Sequence, residues 1–426
     1  MTVTADAAGA RPAPRLFVPS GRLLNAGLAL VVVLGGFVII EPAPYELLLI
    51  ALMAVWLFAG LRVTRYVLPL IVLLFLYLAG GAIALASVES LSGPLLYFAT
   101  TVLLAFSAFF FATIIPADPE RRLGLIMLAY TWSAVIASAV GVVGYALGIE
   151  FFTLYDRARG PFQDPNVFAP YLVMPLCFLA YQTLTRPLRK SFWHVVGALI
   201  IMLAIVLAFS RAGWAMAALA LAVTATLAFI NNRSGRKRLR ILTWIGIGAL
   251  AIVAIVAVLL ILPATSGLFL ERAQLVQDYD AGALGRFDRQ QLGFLLLFDH
   301  PLGIGPFEFG KLFVEDEHNM WLKGFTVYGW LGGLSYIALV VWTLVIGFPL
   351  LFRPRPWRVV VIAAFAAYVG QLLIHNVIDN DHWRHLFLLY GVIWGAYAAE
   401  RLHRRREAVP AVRVFAAPIE RAPQRI

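Results

Sequence analysis

The residues best suited to chemistry are charged side chains next to long apolar runs. Arg211 is the clearest case, because it stands alone in Phe209-Ser210-Arg211-Ala212-Gly213-Trp214 between two apolar stretches. An arginine at the centre of a membrane span costs about 2.5–3.5 kcal/mol, and less near the interface, so its presence there indicates a function. A guanidinium forms paired hydrogen bonds with phosphate oxygens, which favours anion binding. Snorkelling of the side chain to lipid headgroups is the alternative.

A second pair of arginines, Arg157 and Arg159, lies in the segment 148–165. Its Gly-Pro and Asp-Pro pairs predict rigid turns. Asn166 follows, and we expect it to cap the next helix by accepting from free backbone amides. These arginines either help to bind the same anion or are solvated in an ordered turn.

The 56-residue segment 263–318 is too long for an ordinary loop, which indicates a functional one. It predicts a short helix at the membrane surface that presents Arg286 and Arg289 three residues apart. It ends with Glu317-His318-Asn319, and His318 is a candidate general base because imidazole titrates near neutral pH. Two alternatives are a divalent metal on the acids and His318, for which the spacing is unusual, and a structural histidine.

A second acidic and histidine-containing group, Asp379-Asn380-Asp381-His382, lies in the last turn between apolar runs. It should face the same side of the membrane as His318. Asp381 and His382 either contribute to a shared cavity or belong to a hydrated turn.

The composition places these residues in a membrane protein. Of 426 residues, 62% are apolar and 13% are charged, and the mean hydropathy is +0.85. Average soluble domains are about 45–50% apolar and about 25% charged. A soluble enzyme, a secreted disulfide scaffold and a disordered chain are therefore excluded. The single cysteine, Cys177, lies in an apolar run and can form no internal disulfide.

The apolar runs predict an all-α polytopic protein with twelve transmembrane helices, both termini on the cytoplasmic side and a long outer loop between helices 9 and 10. With this topology, 25 of the 34 basic residues lie inside. The net charge of +11 then reflects cytoplasmic anchors rather than nucleic-acid binding. We expect one transmembrane domain over 21–402 with tails at 1–20 and 403–426. The predicted spans are 22–40, 44–60, 66–87, 93–115, 121–147, 166–183, 192–209, 212–230, 241–262, 319–350, 357–377 and 384–400. The tenth is long and rich in glycine, so it is either bent or a short segment followed by one crossing.

Three motifs, in order, resemble the O-antigen ligase family, whose superfamily includes repeat-unit polymerases of surface polysaccharides. They are Arg-x-Arg-Gly-Pro-Phe-x-Asp-Pro-Asn-x-Phe-Ala at 157–169, Ser-Arg-Ala-Gly-Trp at 210–214, and Pro-Leu-Gly-Ile-Gly-Pro at 301–306 followed by His318-Asn319. Each motif alone is weak, and their order together with the long outer loop makes the resemblance specific. The family often has Ser-Arg-Gly where this chain has Ser-Arg-Ala-Gly.

The resemblance implies a GT-C type glycosyltransferase of the bacterial inner membrane with a periplasmic active site. Its donor would be an oligosaccharide on undecaprenyl diphosphate, and its acceptor either another lipid-linked repeat unit or lipid A-core. Arg211, Arg286 and His318 match the family's motif positions. The arginines would hold the diphosphate, His318 would be the base, and no metal or other cofactor would be needed.

Three other classes stay open from the sequence. A flippase or polyanion transporter usually carries charges in mid-span, whereas here the charges collect near the ends of the spans. A cell-wall polymerase of the shape-and-division type and a non-catalytic scaffold are the remaining alternatives.

Overall fold

The computed structural model describes residues 21–274 and 285–408, and 79% of the structure is helical. Among these residues, eight helices are long and apolar enough to cross a membrane, and three shorter helices are also apolar. The prediction of an all-α, multi-pass membrane protein is therefore confirmed. The count of twelve spans and the GT-C fold stay predictions.

Most helices of the first half of the chain coincide with predicted spans. The helices are α1 (Gly21–Leu34), α2 (Pro44–Phe58), α3 (Leu68–Ala84), α4 (Ser92–Ile114), α5 (Pro119–Ala146), α6 (Pro165–Tyr171), α7 (Val173–Thr185), α8 (Leu188–Leu207), α9 (Arg211–Asn231) and α10 (Gly235–Ile261). Between α5 and α6, the two-residue strands β1 (Thr153–Leu154) and β2 (Arg157–Ala158) form an antiparallel hairpin. The predicted sixth span is interrupted after Tyr171, where Pro170 lies inside α6.

The segment 263–318 contains more helix than predicted. Its elements are α11 (Pro263–Ala273), α12 (Arg286–Asp299) and α13 (Glu308–Phe313). Residues 275–284 lie outside the described part of the chain. The predicted short helix with Arg286 and Arg289 is confirmed as α12.

The predicted tenth span consists of a short helix and one longer helix. They are α14 (Met320–Thr326) and α15 (Gly329–Gly347), followed by a 3-10 turn over Phe348–Phe352. Gly329 has φ +65°, and a Cβ there would lie 2.7 Å from the backbone oxygen of Leu302. Only glycine fits this conformation easily, so the chain turns here and the second of the two predicted arrangements is the one observed.

The bundle is completed by α16 (Arg358–Ile374) and α17 (Arg384–Ala408). Helix α17 continues past residue 402, the predicted end of the transmembrane domain. Both predicted tails, 1–20 and the end of 403–426, lie outside the described residues. Helices α16 and α17 supply many of the fully buried side chains, among them Tyr368, Tyr390 and Trp394.

Helix α10 has far fewer buried side chains than α16 or α17. Only Ile241 and Leu259 are buried among its 27 residues. Its large exposed side chains are almost all Leu, Ile or Val. In a membrane protein such a helix faces lipid, which solvates apolar side chains as well as a protein core does.

The arginine cavity

Five residues proposed from the sequence line one cavity of about 580 Å³. They come from four separate segments of the chain and are Arg157, Asn166, Arg211, Arg286 and His318. The remaining polar lining is Arg272, Gln274 and Asn376. The apolar lining is Phe209, Ala212, Trp214, Ala215, Ala273, Phe287, Leu373, Ile374, Val377 and Ile378. We call this space the arginine cavity.

Arg157 is held rigidly by the hairpin between α5 and α6. Its Nε donates to the backbone oxygen of Ala208 (2.9 Å), and one of its terminal nitrogens donates to Asn166 Oδ1 (2.8 Å). The side chain is buried. Asn166 was predicted to cap α6, but that cap is Asp164, whose carboxylate accepts from the Asn166 backbone amide (2.7 Å). The Asn166 side chain is thereby left to orient Arg157.

Arg211 is the first residue of α9 and follows a tight reversal from α8. Phe209 adopts φ +44°, and Ser210 caps α9 by accepting from the Gly213 amide (3.2 Å). Arg211 donates to the backbone oxygen of Gln274 at the end of α11 (3.1 Å). The motif Ser-Arg-Ala-Gly therefore fixes the guanidinium at the positive end of a helix, where anions are favoured.

Arg286 and Arg289 have different surroundings although both lie in the first turn of α12. Arg286 lines the arginine cavity. Arg289 is buried on the protein side of the helix and pairs with Glu315 (2.5 Å). Arg159 donates to the Gln163 backbone oxygen (3.3 Å) and does not line the cavity. The structure thus brings together three of the five arginines proposed from the sequence.

His318 lies at the cavity edge in a left-handed backbone conformation with φ +46°. The carboxylate of Asp379 accepts from the backbone amides of His318 (3.3 Å) and Asn319 (3.0 Å). The same carboxylate lies 3.8 Å from His318 Nδ1. Asp379 therefore fixes the backbone that carries the imidazole, and its carboxylate lies on the Nδ1 side of the ring, away from Nε2.

Gln290 ties α12 to the same loop. Its side-chain amide donates to the backbone oxygens of His318 (3.2 Å) and Asn376 (3.4 Å), and its Oε1 accepts from Asn319 Nδ2 (3.3 Å). Asn319 also caps α14 by accepting from the Leu322 amide (3.1 Å). Asn319 is thus a residue that positions His318, and it does not line the cavity.

Glu317 points away from the arginine cavity into the protein. Its carboxylate accepts from the Thr326 hydroxyl (2.5 Å). Burial raises the pKa of Glu317 to about 7, although the cation of Lys323 acts in the opposite direction. A pKa near 7 lets the Glu317 carboxylate gain or lose a proton near neutral pH, and this side chain does not line the arginine cavity.

Asp381 and His382 belong to a buried polar network behind His318. Lys323 Nζ lies 3.5 Å from Asp379 and 3.8 Å from Asp381. Tyr97 donates to Asp381, and His382 Nε2 is 2.9 Å from Thr101 Oγ1. Burial alone would raise the pKa of Asp381, but the charges of Lys323 and His382 and the Tyr97 hydrogen bond lower it. Neither Asp381 nor His382 lines the arginine cavity.

Sequence reasoning missed Arg272 as a member of the site. It lies at the end of α11, and its Nε is buried and has no hydrogen-bond partner among the described residues. The carboxylate of Glu271 lies 3.7 Å from the Arg272 guanidinium and is half exposed. No motif surrounds Arg272, and its only signal was its place among the few basic residues on the predicted outer side.

Among the described residues, the acidic and basic side chains that line the arginine cavity are all basic. Four arginines line it, and no Asp or Glu does among the described residues. Such a lining favours an anion with several oxygens, and the apolar wall beside it suits a ligand that is also partly hydrophobic. Within the described residues, no group of three or more His, Cys, Asp or Glu side chains could hold a metal ion.

No protein-family model matches the chain, and no curated protein matches it.

Proposed function

We propose that the chain is an integral-membrane glycosyltransferase that transfers a glycan from undecaprenyl diphosphate to an acceptor sugar hydroxyl. The observation that carries the proposal is the convergence of Arg157, Asn166, Arg211, Arg286 and His318 on one cavity. In the sequence these residues are spread over three separate segments, 148–166, 209–214 and 263–318. In the proposed topology both termini are cytoplasmic and the cavity opens to the periplasm.

The proposed chemistry divides between the arginines and His318. Arg211, Arg272 and Arg286 bind the diphosphate and stabilise the charge that grows on it as the bond to the sugar breaks. His318 Nε2 takes the proton from the acceptor hydroxyl, whose oxygen forms the new bond to the anomeric carbon. The products are the extended glycan and polyprenyl diphosphate. Attack opposite the leaving group inverts the anomeric carbon.

Arg157 serves this reaction indirectly, because its hydrogen bonds to Ala208 and Asn166 fix the reversal that presents Arg211. Asp379, Gln290 and Asn319 hold His318 in the same way. The arginines supply positive charge where related chemistry often employs a divalent metal. Activity that is abolished by a chelator and restored by magnesium would contradict this part of the proposal.

The test is a transfer assay with purified protein in lipid nanodiscs and an undecaprenyl-diphosphate oligosaccharide. His318→Ala should lower the transfer rate about 10²- to 10⁴-fold, and Arg286→Ala should also lower it strongly. His300→Ala, in the same segment but outside the cavity lining, is the matched control and should retain it. A ladder of lipid-linked glycans without added acceptor identifies a polymerase, whereas product formed only with lipid A-core identifies a ligase. Absence of transfer by the wild type in nanodiscs, together with movement of the donor across the bilayer of proteoliposomes, would favour the flippase alternative.

A further inference from the structure

Helix α12 carries a row of phenylalanines on one exposed side. Phe287, Phe294 and Phe298 are 52%, 57% and 61% exposed. Their spacings of seven and four residues align them along the helix axis. We call these three side chains the aromatic ridge.

The ridge cannot turn inward, because the opposite side of α12 is fixed against the protein. Leu297 packs in a small core with Phe309 and Leu322. A Cβ added at Gly293 would lie 2.7 Å from Phe309 and 2.8 Å from Leu322, so the helix approaches this core as closely as a glycine allows. The exposed position of the ridge therefore follows from the packing of α12.

The aromatic ridge is continuous with the lipid-facing side of a membrane-spanning helix. The rings of Phe298 and Trp330 are 5.9 Å apart, and the Trp330 indole donates to the Leu297 backbone oxygen (2.9 Å). Trp330 lies in the first turn of α15, which belongs to a candidate membrane span. From Trp330, exposed Leu334, Ile337 and Val341 continue along one side of α15.

We propose that the aromatic ridge is immersed in the hydrocarbon of the leaflet on the cavity side, so that α12 lies in the membrane plane. The occupant of the exposed face is lipid, because lipid already covers the adjoining side of α15. An amphipathic helix binds in this way through its apolar face while its polar flank stays at the headgroups. The exposed Asp288 and Asp299, near the two ends of α12, are that polar flank, and the exposed Leu292 and Leu295 between them extend the apolar surface.

This surface has a consequence for the arginine cavity. Phe287 belongs to the ridge and also lines the cavity, and Arg286 precedes it on the same helix. A ridge in hydrocarbon therefore holds Arg286 at the depth of lipid headgroups. The inference concerns the membrane contact of α12 and does not depend on the proposed transfer activity.

The test uses spin labels on single cysteines. Cys177, the one cysteine of the chain, is buried, so Cys177→Ala provides a background free of cysteine. Phe294→Cys and Phe298→Cys report on the ridge, Asp288→Cys and Asp299→Cys on the polar flank, and Val341→Cys on lipid. For each spin label, the rates of collision with molecular oxygen and with a water-soluble nickel complex are measured in phospholipid nanodiscs.

The ratio of oxygen to nickel collisions at positions 294 and 298 should exceed that at 288 and 299 several-fold and stay below that at 341, because Val341 lies near the middle of its span and an interfacial helix is less deeply immersed. Nickel collisions at 294 and 298 equal to those at 288 and 299 would show a water-facing surface and overturn the proposal. Protection of 294 and 298 from both reagents, with 288 and 299 accessible, would show that protein covers the ridge and would also overturn it.

Discussion

Replacing Asp379 with Asn separates the positioning of His318 from donor binding. Asp379 accepts from the backbone amides of His318 and Asn319 and lies 3.8 Å from His318 Nδ1. Asn has the same shape, but it keeps one acceptor oxygen and turns an NH₂ group towards the other donor. One charge-assisted hydrogen bond is therefore lost, which corresponds to about 1.5–3 kcal/mol. If the loss is expressed in the transition state, kcat falls about 10- to 100-fold.

The assay is steady-state transfer from a polyprenyl-diphosphate donor, measured for kcat and KM separately. KM for the donor should change less than about threefold, because Asp379 does not line the arginine cavity. Glu315→Gln is the matched control, since it also exchanges a carboxylate for an amide of the same shape, and the Glu315 carboxylate pairs with Arg289 outside the cavity. Its kcat should stay near that of the wild type.

A double variant shows whether Asp379 acts through His318. Loss of a general base costs about 10²- to 10⁴-fold. His318→Ala combined with Asp379→Asn should therefore be no slower than His318→Ala alone, because the carboxylate has no imidazole left to orient. A double variant slower by the product of the two single effects, or a wild-type kcat for Asp379→Asn, would refute this reasoning.

Arg272→Gln should weaken the binding of a polyprenyl diphosphate about tenfold or more, measured as Kd, because one charge-assisted hydrogen bond is removed; Arg159→Gln is the control, and an unchanged Kd for Arg272→Gln would exclude this residue from the site. Glu317→Gln should flatten the pH dependence of thermal stability. The pKa of Glu317 is about 7 in the folded state and 4.5 ordinarily, so the folded protein holds an extra proton between these values. The free energy of unfolding of the wild type therefore falls by up to about 3 kcal/mol as the pH rises from about 5 to about 8. A wild-type Tm that rises over this range would contradict that sign. Gly329→Ala should lower Tm, because φ is +65° and the new Cβ would lie 2.7 Å from a backbone oxygen, whereas Gly324→Ala meets no atom closer than 3.6 Å and serves as its control.

The sequence predicted the architecture well where hydropathy alone determines it. Long apolar runs must form helices in lipid, because every backbone polar group has to be satisfied within the segment. The breaks within spans were harder to foresee. Proline or glycine marks many positions, and only the tertiary contact between Gly329 and the turn at Leu302 shows why the tenth predicted span is broken where it is.

Within the site, sequence spacing identified residue types but not the directions of their side chains. Arg286 and Arg289 are three residues apart, and the spacing alone places them near each other on the helix. The partner Glu315, distant in sequence, draws Arg289 into the protein. Asp379 and Asp381 pose the same difficulty, since one contacts the His318 loop and the other contacts Tyr97.

Helix α12 shows why these directions matter together. Arg286 lines the arginine cavity, Gly293 and Leu297 pack against the protein, and Phe294 and Phe298 face outward. Successive residues of a helix are about 100° apart, so all three contacts share one rotation about the helix axis. A change that rotates α12 therefore alters the anion contact and the proposed lipid contact at once. Because the side chains are fixed to one rigid helix, a movement of α12 relative to the membrane would consequently also move Arg286 within the arginine cavity.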